Sequence, residues 1–221
     1  MPVAASTKSD KLPYLIVGQG IAGTLLAWHL EKANQPYLIL DNNHQTSASK
    51  IAAGIINPIT GRRFVKSWMI DAFLPFAKST YQEIEAELEI KVWKDMDIIR
   101  FFMSNAEGNN WLTKTTLKGY DKYLKKEKNA DFLHDFINDE SGYGTVVGAK
   151  VDLGKVVKSF QNYFQKKGVL LSEQFDYEQL KIESNNIIYK EIEARKLIFC
   201  EGYAAFKNPV SYTHLTLPTK A

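Results

Sequence analysis

The sequence predicts an α/β fold, on three observations taken from its first forty residues. A continuous apolar run, Tyr14-Leu-Ile-Val17, leads directly into Gly18-Gln-Gly20-Ile-Ala-Gly23. Leu25, Leu26, Ala27 and Leu30 then mark an apolar helix running from Ile21 to about Ala33. A second apolar run, Tyr37 to Leu40, ends on an acid, Asp41. Strand, glycine turn, helix and strand in that order form a βαβ unit, whose two strands lie parallel in one sheet. The unit is Rossmann-like.

Each glycine has a separate task in such a unit. Gly18 permits the tight turn, Gly20 lets backbone approach a pyrophosphate, and Gly23 lets the helix pack close to the strand. The free N–H groups of the first helical turn, at Ile21 and Ala22, point with the positive dipole end toward the phosphates. The Asp41 carboxylate, about 20 residues after the glycines, is placed to accept from a ribose hydroxyl, with Asn42 beside it. These residues are the candidate dinucleotide site.

Composition bounds the rest. With 221 residues and 45% hydrophobic content, the chain can build one large core or two small ones. A net charge of +3 is too small to argue for nucleic acid or an anionic membrane. The lysines between Lys122 and Lys128 read as a solvated face. A single cysteine, Cys200, excludes an intrachain disulfide and suits a reducing compartment. Residues 1–12 are small and polar, without a signal-peptide core, and no stretch approaches the roughly 20 apolar residues of a membrane span. A cytoplasmic location and no membrane partner are expected.

After Asp41 the chain turns to small residues: Thr46, Ser47, Ala48, Ser49, then Ala52, Ala53 and Gly54. Short hydroxyls and bare backbone there could approach a ligand, or could simply begin a helix. Asn57-Pro58 and Thr60-Gly61 are turn signals. From Trp68 to Glu89, Phe73, Ala77, Tyr81, Ile84 and Leu88 recur at three- and four-residue steps, an amphipathic helix. Val92 to Met103 reads as strands. Glu107 to Lys128 reads as helical, with Trp111, Leu117, Tyr120 and Leu124 as a buried stripe. Gly142, Gly144 and Gly148 read as turns around a short strand, Thr145 to Val147. Asp152 can cap a helix carrying Val156, Val157, Phe160 and Phe164. Beyond Gly168 come a strand at Val169 to Leu171, a hairpin of Phe175–Ile182 and Ile187–Ile192 turning at residues 184–186, and an apolar strand, Lys196 to Cys200, that runs into Gly202.

The end of the chain is of a different kind. Pro209-Val-Ser-Tyr-Thr-His-Leu-Thr-Leu-Pro-Thr219 matches, residue for residue, the translation of a transposase-end adapter used in sequencing libraries. Residues 209–221 are therefore expected to be foreign to the natural protein and are set aside from fold reasoning. The natural chain is expected to continue, with this sequence as its N-terminal part.

The order of elements resembles the FAD-dependent oxidoreductases of the D-amino-acid oxidase superfamily, to which glycine and sarcosine oxidases and the oxidase domain of a bifunctional tRNA wobble-uridine modification enzyme belong. The resemblance rests on Gly18 to Gly23 with Ala27, on Ser47-Ala-Ser49 with Ala52-Ala53-Gly54, on Val151-Asp152 leading a helix that ends before Gly168, and on Arg195 to Gly202. It spans about residues 13–206. Glu201 departs from the pattern, which has a small residue at that turn. The resemblance implies FAD as cofactor, with Ser49, Ala53, Gly54 and Gly202 joining the fingerprint in holding it. It implies a FAD-binding domain assembled from residues 13–60 and 145–208, after a disordered 1–12, with an incomplete α+β substrate domain at 61–144. Family members return late in their sequence to the FAD domain with another glycine-rich contact, so residues 1–221 are expected to hold FAD poorly or not at all.

The chemistry implied is hydride transfer to flavin from a C–H next to nitrogen in an amine or amino acid. The cofactor supplies the electronics, so few acid–base residues are needed, and no catalytic residue is assigned. Arg62 and Arg63 could hold a substrate carboxylate, Arg being suited to bidentate recognition, or could be two solvated loop arginines. His44 could attach flavin covalently but reads more simply as a surface-loop histidine. His29, His134 and His214 share no ligand spacing with a cysteine or acid, so no metal is expected. Two alternatives stand beside this reading: an NAD(P)-dependent dehydrogenase built on the same fingerprint, and a truncated dinucleotide-binding piece without catalysis. A tRNA role is implied only by resemblance.

Overall fold

The computed structural model describes residues 12–43, 47–125, 142–184 and 186–210. Thr46, His44, His134, His214, Lys126 and Lys128, residues 1–11 and the tail from Ser211 lie outside the described residues. The chain divides into two compact units. One is built from residues 1–52 and 153–221, the other from residues 53–152.

The first unit is the parallel-sheet unit. Its opening strand β1 (Leu12–Val17) is followed by helix α1 (Ile21–Lys32), strand β2 (Tyr37–Asp41) and a single helical turn α2 (Ala48–Ile51). The second unit, residues 53–152, intervenes here. The chain then returns with α5 (Leu153–Lys167), β9 (Leu170–Ser172), β10 (Leu180–Glu183), β11 (Asn186–Tyr189) and β12 (Ile192–Phe199). The sheet order is β10-β11-β12-β1-β2-β9. β12, β1, β2 and β9 run parallel, and β10-β11-β12 form an antiparallel meander at one side.

This order creates a switch point. From β1 the chain crosses through α1 to β2 on one side, whereas β12 joins β1 from the other. Val17 pairs with both Leu40 and Phe199, so the three strands end level. Open parallel sheets bind ligands beyond the carboxyl ends of their strands at such a place.

Alternation along β1 and β2 divides the core in two. Leu15, Val17 and Leu40 face a cluster with Phe175, Tyr189 and Ala194, in which Phe175 and Tyr189 stack at 4.5 Å. On the helical side, Trp28 of α1 meets Phe160 of α5 edge-on at 5.6 Å, and Tyr37 meets Phe164 at 6.0 Å. Trp28, Phe160 and Phe164 are buried, and burying aromatic side chains of this size is the main stabilising contribution of such a layer. Hydrophobic spacing on α5 thus fixes which face docks.

The second unit is α+β. Short strands β3 (Ile55–Ile56), β4 (Ile59–Thr60) and β5 (Val65–Lys66) precede α3 (Ile70–Leu88). Then come β6 (Trp93–Phe101), α4 (Asn105–Thr115), β7 (Leu124–Lys125) and β8 (Tyr143–Val151). β8 lies between β3 and β6 and also pairs with β7, while β4 and β5 form a hairpin. Phe64, Phe102, Trp111, Leu124 and Val146 are the centre of its core. The buried Glu85 carboxylate accepts from the amides of Val92 (2.7 Å) and Trp93 (2.8 Å), which fixes where β6 begins.

Several sequence expectations change here. The helix expected over residues 107–128 stops at Thr115. The Thr115 and Thr116 hydroxyls donate to the carbonyls of Leu112 and Thr113, competing with further helix, and Gly119 follows at φ +82°. Gly144 and Gly148 are not turns but lie inside β8, a nine-residue strand. A Cβ on Gly144 would stand 2.2 Å from the Trp111 ring, and one on Gly148 would stand 2.7 Å from the Ile56 carbonyl oxygen. These glycines serve close packing. The first arm of the expected hairpin is shorter, because residues 177–179 form a 3-10 turn before β10.

Candidate dinucleotide site

Beyond the level ends of β1, β2 and β12 lies a cavity of about 570 Å³, lined wholly by residues of the first unit. Its floor is the glycine turn. Gly18 has φ +100°, and a Cβ there would lie 2.5 Å from the Cys200 carbonyl oxygen, so only glycine fits between β1 and β12. The turn is pinned on both sides: Gly18 N–H donates to Leu40 O (2.8 Å), and Cys200 N–H donates to Val17 O (2.7 Å).

Helix α1 then starts at the cavity wall, with Gly20 as its N-cap and no capping side chain of its own. Ser49, from α2, supplies the missing acceptor: its Oγ takes the Ile21 N–H at 3.0 Å. A Cβ on Gly20 would meet only that Ser49 Oγ, at 3.4 Å, so the space in front of Gly20 is open. Asp41 stands at the end of β2. Its Oδ2 accepts from the Gln19 amide (2.8 Å) and its Oδ1 from the Asn43 amide (2.7 Å).

Gly18, Gly20, Ile21, Ala22, Asp41, Asn42, Ser49 and Gly202 therefore line one cavity. Gly23 does not line it. Its missing Cβ would be 1.9 Å from Gly18 O, and its role is the helix–strand contact behind the wall. Ala53 and Gly54 belong to the second unit, where Gly54 at φ +70° packs against the Val151 carbonyl. Arg62 and Arg63 also lie in that unit, exposed at the tip of the β4–β5 hairpin. Arg62 contributes to holding the Glu107 carboxyl below its ordinary range, behind larger effects from the Met103 amide and Arg100. Among the described residues no group of three or more His, Cys, Asp or Glu could hold a metal ion, and no helix is long and apolar enough to cross a membrane.

Further lining residues come from β12 and its surroundings: Glu173, Gln174, Phe175, Phe199, Glu201 and Tyr203. The sequence carried little signal for these, since they approach only through the β12–β1 and β2–β9 pairings. Glu201 is tied down rather than facing the cavity unpaired. Its carboxylate accepts from the Tyr177 hydroxyl and from Asn208 Nδ2 (2.6 Å). Burial, and then this hydrogen bond, push the Tyr177 phenol up. Burial likewise raises the Cys200 thiol, with the Glu201 charge adding to it, so the thiol stays protonated at neutral pH.

Among the described residues the lining contains three carboxylates, from Asp41, Glu173 and Glu201, and no lysine or arginine. A diphosphate here would be met by the backbone amides and dipole of α1 rather than by a side-chain cation. Ser47 completes the fit. It is a lining residue, and its Oγ is buried without a hydrogen-bond partner, a state that costs free energy. Open space before Gly20, an unpaired hydroxyl and an oriented carboxylate suit the diphosphate and ribose of an adenine dinucleotide.

The fold and site define a dinucleotide-binding α/β protein. Residues 14–221 match the family model described as FAD dependent oxidoreductase, and the chain belongs to that family, whose members bind FAD. Its fold is shared with glycine oxidase from Geobacillus kaustophilus (TM-score 0.68, 16% identity, 87% of this chain and 56% of that one). It is shared also with glycine oxidase from Bacillus cereus (0.64, 18%, 86% and 55%) and L-amino acid deaminase from Proteus vulgaris (0.68, 14%, 90% and 49%). The chain spans about half the length of these structures.

Proposed function

We propose that the first unit holds the ADP half of FAD in the cavity beyond β1, for an oxidoreductase acting on the C–N bond of an amine or amino acid. The observation that carries this reading is the open space before Gly20, where the α1 N-terminus, which has no capping side chain of its own, and Asp41 line one cavity. When bound, FAD would supply acceptance of hydride from the carbon next to nitrogen. The chain's own residues bind and orient. The N-terminus of α1 would take the diphosphate, with Ser47 and Ser49 beside it, Asp41 would take the ribose, and Gly202 would line the far side of the site. The amine or amino-acid substrate class is supported by what the structural relatives are called, glycine oxidase and amino acid deaminase.

The second unit is proposed as part of the substrate-binding domain, with Arg62 and Arg63 as candidates for a substrate carboxylate. The whole protein's reaction would need the further sequence that the relatives have. Calorimetric titration of the 221-residue chain with FAD and with ADP tests the reading directly. Weak binding of both, with similar affinity, is expected, because the ADP half carries the contacts. Absence of ADP binding at millimolar concentration would remove this cavity as the site of the ADP half.

A further inference from the structure

Asp41 is held from both sides by two arms that end on one face of α5. In the first arm, the Gln19 amide donates to Asp41 Oδ2 at 2.8 Å. The Gln19 side chain, 3% exposed, turns inward, and its Nε2 donates to Thr24 Oγ1 (3.0 Å) and to the Val157 carbonyl (3.0 Å). In the second arm, the Asn43 amide donates to Asp41 Oδ1 at 2.7 Å. Asn43 sits at φ +57°, and its Oδ1 accepts from Gln161 Nε2 at 2.8 Å. Gln161 is 4% exposed, and its own Oε1 accepts from Lys158 Nζ at 3.0 Å.

Val157 and Gln161 are four residues apart and share one face of α5. Asn43 holds the left-handed conformation, which Asn tolerates better than other residues with a side chain, and a contact to its side chain selects it. The Gln161 amide supplies that contact and is the tether, with Lys50 Nζ a longer, exposed second donor at 3.4 Å. Buried amides fully engaged in such a network specify one geometry.

We propose that Gln161 and Gln19 are positioning residues: through Asn43 and the glycine turn, α5 aims the Asp41 carboxylate at a ribose that carries a free 2′-hydroxyl. This rests on the cavity taking an adenine dinucleotide, as proposed above. Each oxygen of Asp41 spends one lone pair on a backbone amide and keeps the other for the ligand. Removing the α5 tether frees residue 43 to leave φ +57°, its amide leaves Oδ1, and the carboxylate rotates.

The test compares ADP with 2′-deoxy-ADP by calorimetry on the wild-type chain and on Gln161→Glu, which keeps the shape but loses the donor. A thermal melt checks that the variant folds. A hydrogen bond to a charged group is worth enough for the wild type to prefer ADP about tenfold. In Gln161→Glu the preference is expected to fall toward unity through weaker ADP binding, with 2′-deoxy-ADP unchanged. Asn43→Gly, which tolerates the positive φ and deletes only the tethered side chain, should behave the same way and serves if Gln161→Glu does not fold. A tenfold preference that persists in either folded variant overturns the proposal. A wild type that binds both nucleotides equally overturns it too, while leaving the dinucleotide reading intact. Binding of neither by the wild type brings down both.

Discussion

A Cβ on Gly23 would stand 1.9 Å from the carbonyl oxygen of Gly18, so the first and last glycines of the fingerprint touch each other across the root of α1. Neither side can give way. The oxygen is backbone, and Gly18 has no room to shift, since a Cβ on it would itself lie 2.5 Å from the Cys200 carbonyl oxygen. Gly20, between them, faces open space, and the three glycines separate into two that pack and one that clears room.

That separation predicts opposite phenotypes. Gly23→Ala should destabilise the first unit by about 1–3 kcal/mol or more through overpacking. Gly20→Ala, at an ordinary φ of −70°, should leave the melting temperature of the free protein unchanged and weaken FAD instead. Urea unfolding and FAD titration of the two variants separate these effects. Equal loss of stability in both would contradict the geometry.

Ser47→Ala offers a second contrast. Removing a buried hydroxyl that has no partner costs the free protein nothing and can raise its stability slightly. In complex with FAD it deletes one neutral hydrogen bond, about 0.5–1.5 kcal/mol, or roughly a two- to tenfold rise in Kd. A variant with unchanged Kd would show that Ser47 stands apart from the cofactor.

The outer surface of the same unit carries a pH-dependent contact. Glu31 on α1 accepts from the Tyr37 hydroxyl (2.7 Å) and also from the Tyr163 hydroxyl and Lys167 Nζ of α5. Burial works to raise its pKa, but the bonds from Lys167, Tyr163 and Tyr37 outweigh it and hold the carboxyl below its usual 4.5. A lowered carboxylate pKa stabilises fully above the unfolded value, and the contribution fades as pH drops through the folded value. Glu31→Gln should therefore cost on the order of 1 kcal/mol at pH 7, reduced by partial solvent screening, and progressively less below pH 4.5. Denaturant curves for both proteins at neutral and acid pH check this; a cost that does not shrink in acid would refute it.

In the second unit, Gly144→Ala would push a methyl group into the Trp111 ring, 2.2 Å away. The expected result is loss of about 1–3 kcal/mol from that unit. Limited proteolysis should then cut first within residues 53–152, while FAD titration reports the first unit unaltered. Unchanged cleavage kinetics would mean that the ring moves aside freely.

The first βαβ was legible because its signals are local: the apolar runs, the glycine spacing and Asp41 all lie within thirty residues and obey single-element rules. What escaped depended on distance in the chain. Gly144 and Gly148 look like turn residues until Trp111 and Ile56 are packed against them. Gln19 reads as the variable position of a glycine motif, and only the arrival of Val157 shows why an amide is buried there. Gln161, in a helix otherwise marked by its aromatic stripe, carries no pattern that points to Asn43. Pockets such as this one, nearly half of whose wall comes from residues 173–205, belong to the tertiary pairing and not to any window of sequence.

The central strand of the sheet has its own timing. Leu12 pairs with Ala194, and between them the chain must emit the whole of the second unit, whose ends Gly54 and Val151 meet in a 2.9 Å hydrogen bond. On a ribosome, β1 and β2 emerge first and wait, one side of β1 without its partner, through the synthesis of α3, α4 and their sheet. Pairings of such long range are slow to form and leave an open strand edge that invites contact with other nascent chains. The inserted unit, with its ends already joined, can fold during that wait. The order of synthesis thus makes the parallel sheet close after the inserted unit, and an exposed β1 edge the state that molecular chaperones would meet.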